Sequence, residues 1–144
     1  MASTVTLGRV LMLVSNLSLA FGSFIADFNE THVLNPRWPP HARFHNGQTM
    51  TSSLLFAAAA AFFLFKPSSS RAVEANSLLA AVVIGSFYGI SGLTGGLYPG
   101  SLPVDPEFGD GFPQLYIFGT QLALNWLGYW LEVQRLGFVN VKVD

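Results

Sequence analysis

Cysteine is absent from the sequence, which excludes disulfides, iron–sulfur clusters and thiolate nucleophiles. Charge is scarce: Asp, Glu, Lys and Arg make up 10% of the 144 residues, against roughly 25% in soluble domains. The net charge of −1 offers no basic surface for a nucleic acid. Three histidines are too few for a membrane di-iron hydroxylase. No phosphate loop occurs, and no serine stands in a Gly-x-Ser-x-Gly elbow.

What the chain has instead is long charge-free stretches, from Val10 to Ala26, Phe44 to Phe65, Ala75 to Val104 and Gly111 to Leu131. A spanning helix needs about 20 mostly apolar residues. The sequence therefore predicts an all-α fold, an integral membrane antiparallel four-helix bundle. It forms one domain, 1–144, with helices over about 6–28, 39–65, 75–93 and 113–133. The connections are short enough to make sequence neighbours neighbours in space. The lipid bilayer is then an obligatory partner, and a homo-oligomer is compatible with the plan.

Polar residues recur at helical spacing. In the first helix Asn16, Ser23 and Asp27 share a stripe that also takes in Arg9, and in the fourth Gln114, Gln121, Asn125 and Glu132 lie along one line. Such groups are costly against lipid and are expected to face inward. The alanine run from Ala57 to Ala61 reads as a close-packing surface. The Gly- and Pro-rich stretch from Thr94 to Phe112 is long for a small bundle and reads as a lid or binding loop, with Asp110 as a helix cap.

Basic residues divide unevenly: Arg9, Lys66, Arg71, Arg135 and Lys142 fall on the side of the termini, Arg37 and Arg43 on the other. The positive-inside rule then puts both termini in the cytoplasm. In a eukaryotic cell the membrane would be that of the endoplasmic reticulum. The opposite mouth collects Asp27, Glu30, His32, His41 and His45. It also carries the sequon Asn29-Glu30-Thr31, too close to the membrane to be counted on for glycosylation.

The densest cluster of candidate chemistry is Asn35-Pro36-Arg37-Trp38-Pro39-Pro40-His41-Ala42-Arg43-Phe44-His45-Asn46-Gly47-Gln48. His41, His45, Gln48 and Ser52 fall on one stripe at ~100° per residue, and the stripe is expected to face the interior. Three readings of the histidine pair stand side by side. The imidazoles can bond their own helix; they can bind a metal with Asp27 or Glu30; or they can move protons. An imidazole titrates near neutral pH, and a carboxyl group in an apolar pocket is shifted towards the same range. Proton transfer is the reading adopted, with Asp27, Glu30, His41 and His45 as catalytic residues. Asn16, Trp38, Gln48, Tyr88, Gln121 and Asn125 are the substrate-binding set. No cofactor and no metal are expected, because His41, His45 and one carboxylate are fewer well-held ligands than catalytic zinc normally has.

The segment from Asn35 to Asn46 resembles the signature of small four-span proteins of unassigned function found in fungi and bacteria. In size and plan the chain is also similar to emopamil-binding, sterol-isomerase-like proteins, to membrane meroterpenoid cyclases and to cofactor-free anthrone oxygenases. The likeness is one of architecture, without a residue-by-residue match. It implies a membrane-embedded enzyme that isomerises or cyclises a lipophilic terpenoid- or polyketide-like small molecule. The alternatives are a non-catalytic carrier of a lipophilic ligand and a cofactor-free oxygenase.

Overall fold

The computed structural model describes residues 5–137. Over that range the chain forms α1 (Leu7–Asp27), α2 (Pro40–Phe65), α3 (Arg71–Thr94) and α4 (Pro113–Leu136), with a 3-10 turn at Gly95–Leu97 after α3. No strand occurs among the described residues. Proline opens both α2 and α4, where its fixed φ suits the first turn and its missing N–H leaves no partner wanting. Ser70 accepts the Val73 N–H at 3.3 Å and so starts α3 at Arg71, a turn ahead of the expected Ala75. Asp110 does not cap α4: Phe112 holds that position without a side-chain bond. Gly137 ends α4 at φ 79°, a left-handed conformation that glycine adopts without strain.

The helices pack as a square, each against its sequence neighbours, with α4 closing on α1. Contacts at the helix ends fix the antiparallel order, since the start of α1 meets the end of α2, the start of α3 and the end of α4. Small residues set the spacing. A Cβ on Gly128 would lie 2.5 Å from the Gly8 carbonyl oxygen and 2.7 Å from Met12 Cγ, so α1 and α4 approach backbone to backbone, the usual device for packing without a hydrophobic drive. On α2 the buried stripe is Met50, Ser53, Ala57, Ala60 and Leu64.

Three helices, α1, α2 and α3 with its 3-10 turn, are long and apolar enough to cross a membrane. The fourth stretch differs from expectation because its inner line of Gln114, Gln121, Asn125 and Glu132 lowers its mean hydropathy. Its outer face is apolar, with Leu115, Ile117, Trp126, Leu127 and Trp130 exposed.

A charged network fastens the end of the bundle that carries the termini. Arg9, 3% exposed, donates to the Leu64 carbonyl at 2.6 Å and to Glu74 at 2.6 Å, and its Nε reaches Glu132 at 3.4 Å. Thr6 also donates to Glu132, and Arg135 binds both Glu132 and Glu74. Two arginines against two glutamates, drawn from α1, α3 and α4 with an α2 carbonyl as a further acceptor, balance the charge within the network. Lys142, grouped with this face by sequence, lies outside the described residues.

Candidate functional site

The opposite end is built on the last turn of α1 and the connection that follows. Asn29 ties that turn down: its Nδ2 donates to the Ile25 and Ala26 carbonyls at 3.1 and 2.7 Å, satisfying acceptors that a helix C-terminus leaves open. Its Oδ1 accepts from the Thr31 N–H at 2.8 Å and from the Thr31 hydroxyl at 2.6 Å. The sequon asparagine is thus a cap, with its amide fully engaged.

This arrangement decides the tautomer of His32. The Thr31 hydroxyl has one proton and gives it to Asn29, so at the 2.6 Å contact between Thr31 Oγ1 and His32 Nδ1 the imidazole must donate. His32 Nε2, its remaining nitrogen, lies 3.9 Å from Asp27 Oδ1, within ion-pair distance and outside hydrogen-bond range. One proton on either partner, and not on both, makes this an attractive pair. Asp27 Oδ2 accepts from Asn46 Nδ2 of α2 at 3.0 Å. From α3 the Tyr88 hydroxyl approaches Ser23 and lies in the field of the Asp27 carboxylate. Ser23 in turn pairs with Ser53 at 2.7 Å.

Above the pair opens a cleft of about 310 Å³, at the lower end of small-molecule sites. Thr31, His32 and Trp38 form one wall, with the Trp38 ring edge-on to His32 at 5.0 Å. Leu102, Pro103, Val104, Asp105 and Phe108 of the 95–112 connection form the other, and Gln114 closes it at the start of α4. Gln114 holds the loop by donating to the Pro103 carbonyl at 2.6 Å. Arg37 and Glu107 form an ion pair across the top. Aromatic and aliphatic side chains share the lining with the polar groups of Thr31, His32, Asp105 and Gln114.

Of the residues expected to act, Trp38 lines the cleft, Asp27 stands next to its His32 wall, and Tyr88 lies in the field of Asp27. His41, His45 and Gln48 do share a stripe, but it is exposed on the outer side of α2 and does not reach Asp27. The physical reason is competition for the interface. The small side chains Ser53, Ala57 and Ala60 let α2 approach its neighbours, and that stripe lies roughly 110° round the helix from the histidines at ~100° per residue. Glu30 is exposed on the connection. Asn16, Gln121 and Asn125 are buried deeper and hold helices together: Asn16 donates to Asn125 at 3.1 Å, Asn125 to the Val82 carbonyl at 2.9 Å, and Gln121 to the Gly85 carbonyl at 2.9 Å. His32 and Asn46 are the partners of Asp27 that helical periodicity did not single out. The legible hint was Asn29-x-Thr31 beside a histidine, a pattern that favours a turn bonded to its own backbone.

A model for a family of unknown function, DUF6640, matches residues 11–142. The chain belongs to that family. The DUF6640 match takes in every residue lining the cleft, from Thr31 to Gln114, together with Asp27 and the outward histidines. No curated protein and no solved structure matches the chain. For this DUF6640 member the chemistry therefore has to be argued from the side chains.

Proposed function

We propose that the protein is a membrane-embedded enzyme that isomerises or cyclises a small lipophilic molecule, terpenoid-like or polyketide-like, by acid–base chemistry at the mouth opposite the termini. The observation that carries this reading is the approach of His32 Nε2 to Asp27 Oδ1 at 3.9 Å, with His32 Nδ1 already committed to Thr31. A substrate seated against Trp38 and Phe108 receives a proton from one member of the pair, at a double bond or carbonyl. The other member takes a proton from a neighbouring carbon, and transfer between Asp27 and His32 restores the starting state. Atoms balance, and no cofactor is called for. General acid–base assistance of this kind is worth roughly 10²–10⁴-fold in rate.

The reading includes the membrane. Four helices of 21, 26, 24 and 24 residues match the ~20 that cross a bilayer, and α4 turns its apolar side outward. The uneven basic residues orient the termini to the cytoplasm, with the endoplasmic reticulum as the membrane in a eukaryotic host.

Untargeted mass spectrometry of lipophilic extracts, with and without the protein, tests the reading. Isomerisation and cyclisation conserve elemental composition, so loss of the protein should accumulate one compound and deplete another of the same mass. A pair differing by oxygen would point to a cofactor-free oxygenase instead. Unchanged extracts would leave a carrier as the better account.

A further inference from the structure

His41 and His45 form a second cluster that the proposed chemistry leaves unused. Their Nε2 atoms lie 3.0 Å apart, with ring centroids at 4.4 Å and planes at 76°, and both side chains are exposed. His45 Nδ1 is 3.2 Å from Gln48 Oε1. A carboxamide oxygen only accepts, so His45 Nδ1 carries the proton and its Nε2 presents a lone pair towards His41. That is the tautomer in which imidazole ligates a metal through Nε2, with the far nitrogen held by an outer hydrogen bond.

The spacing also fits. At ~2.0–2.1 Å from zinc, two nitrogens of a tetrahedral set stand ~3.3 Å apart, a few tenths of an ångström from what the pair already has. His41 needs only to move its proton from Nε2 to Nδ1. We propose that His41 and His45 chelate one divalent transition-metal ion of the class that imidazole favours, zinc, nickel, copper or cobalt, on the outer face of α2. Among the described residues no three His, Asp or Glu side chains gather to share an ion, so water fills the other positions and the site is open and exchangeable. At 26 residues, or ~39 Å, α2 overshoots a ~30 Å hydrocarbon core, which leaves its first turns within reach of aqueous ions. The ion would staple the turn from which Asn46, beside His45, reaches Asp27.

Titration calorimetry of zinc chloride into detergent-solubilised protein, freed of any polyhistidine tag, tests the proposal. One ion per chain is expected, with binding abolished by His41→Ala or by His45→Ala alone, weakened about tenfold by Gln48→Ala, and unchanged by His32→Ala. Far-ultraviolet circular dichroism confirms that each variant keeps its helices. No binding to the parent protein would overturn the proposal. So would binding that survives both His41→Ala and His45→Ala, and if that binding were lost in His32→Ala the ion would belong to the cleft.

Discussion

Asn46 donates to the Asp27 carboxylate at 3.0 Å, from the side of α2 that Ser53, Ala57 and Ala60 pack against the bundle. It continues that stripe two turns towards the start of the helix, while His41 and His45 face outward. Asn46→Ala should therefore free Asp27 Oδ2 while leaving the helix packing intact. Activity on the eventual substrate should fall, and the melting temperature should move little. A large loss of thermal stability with unaltered turnover would show the contact to be purely structural.

The charged network makes a stability prediction. Glu132→Ala removes the acceptor shared by Thr6, Arg9 and Arg135 and leaves Arg9 buried with less compensation. Removing one partner of a buried pair typically costs about 3–5 kcal/mol. Unfolding monitored by circular dichroism in detergent should register a loss on that scale. A variant as stable as the parent would mean that the network contributes nothing.

Backbone contact between α1 and α4 makes another. Gly128→Ala places a methyl group 2.5 Å from the Gly8 carbonyl oxygen, which backbone cannot yield without moving a helix, so about 1–3 kcal/mol should be lost. Gly22→Ala meets nothing within 4 Å and should be neutral or stabilising, since alanine is the better helix former by ~1 kcal/mol. Equal effects at the two sites would refute the packing described.

The helices were legible in the sequence because apolar runs of spanning length are broken by prolines at 40, 67 and 113, each where a helix starts or has just stopped. Half of the candidate site was legible too. Asp27 continues a polar stripe on an otherwise apolar α1, and only an inward face explains Asn16 and Ser23. On α2 polarity misled, because histidines in the first turns can be solvated at the membrane boundary while alanine and serine make the interface. His32 sits in a connection without periodicity, positioned by Asn29 and Thr31. The Arg9–Glu132 pair joins residues 123 apart in sequence, a distance over which local patterns carry no information.

Orientation in the membrane is tested with single cysteines, which the cysteine-free chain makes clean. Ser69 is exposed between α2 and α3, and Asp110 is exposed before α4. Gly109 is unsuitable, because at φ 137° a side chain would be strained. In sealed membranes a charged maleimide should reach Ser69→Cys only from the cytoplasmic side and Asp110→Cys only from the other. Labelling of both from one side contradicts the four-span arrangement.

The most direct measurement compares three variants in a host that makes the substrate, by the amount of product in lipophilic extracts. If the Asp27–His32 pair moves the protons, Asp27→Asn and His32→Ala should each lower product at least a hundredfold, on the scale set by removing a general acid or base, while His45→Ala stays within a few-fold of the parent. Near-normal product from Asp27→Asn and His32→Ala, with loss in His45→Ala, would move the chemistry to the outer face of α2 and contradict the account.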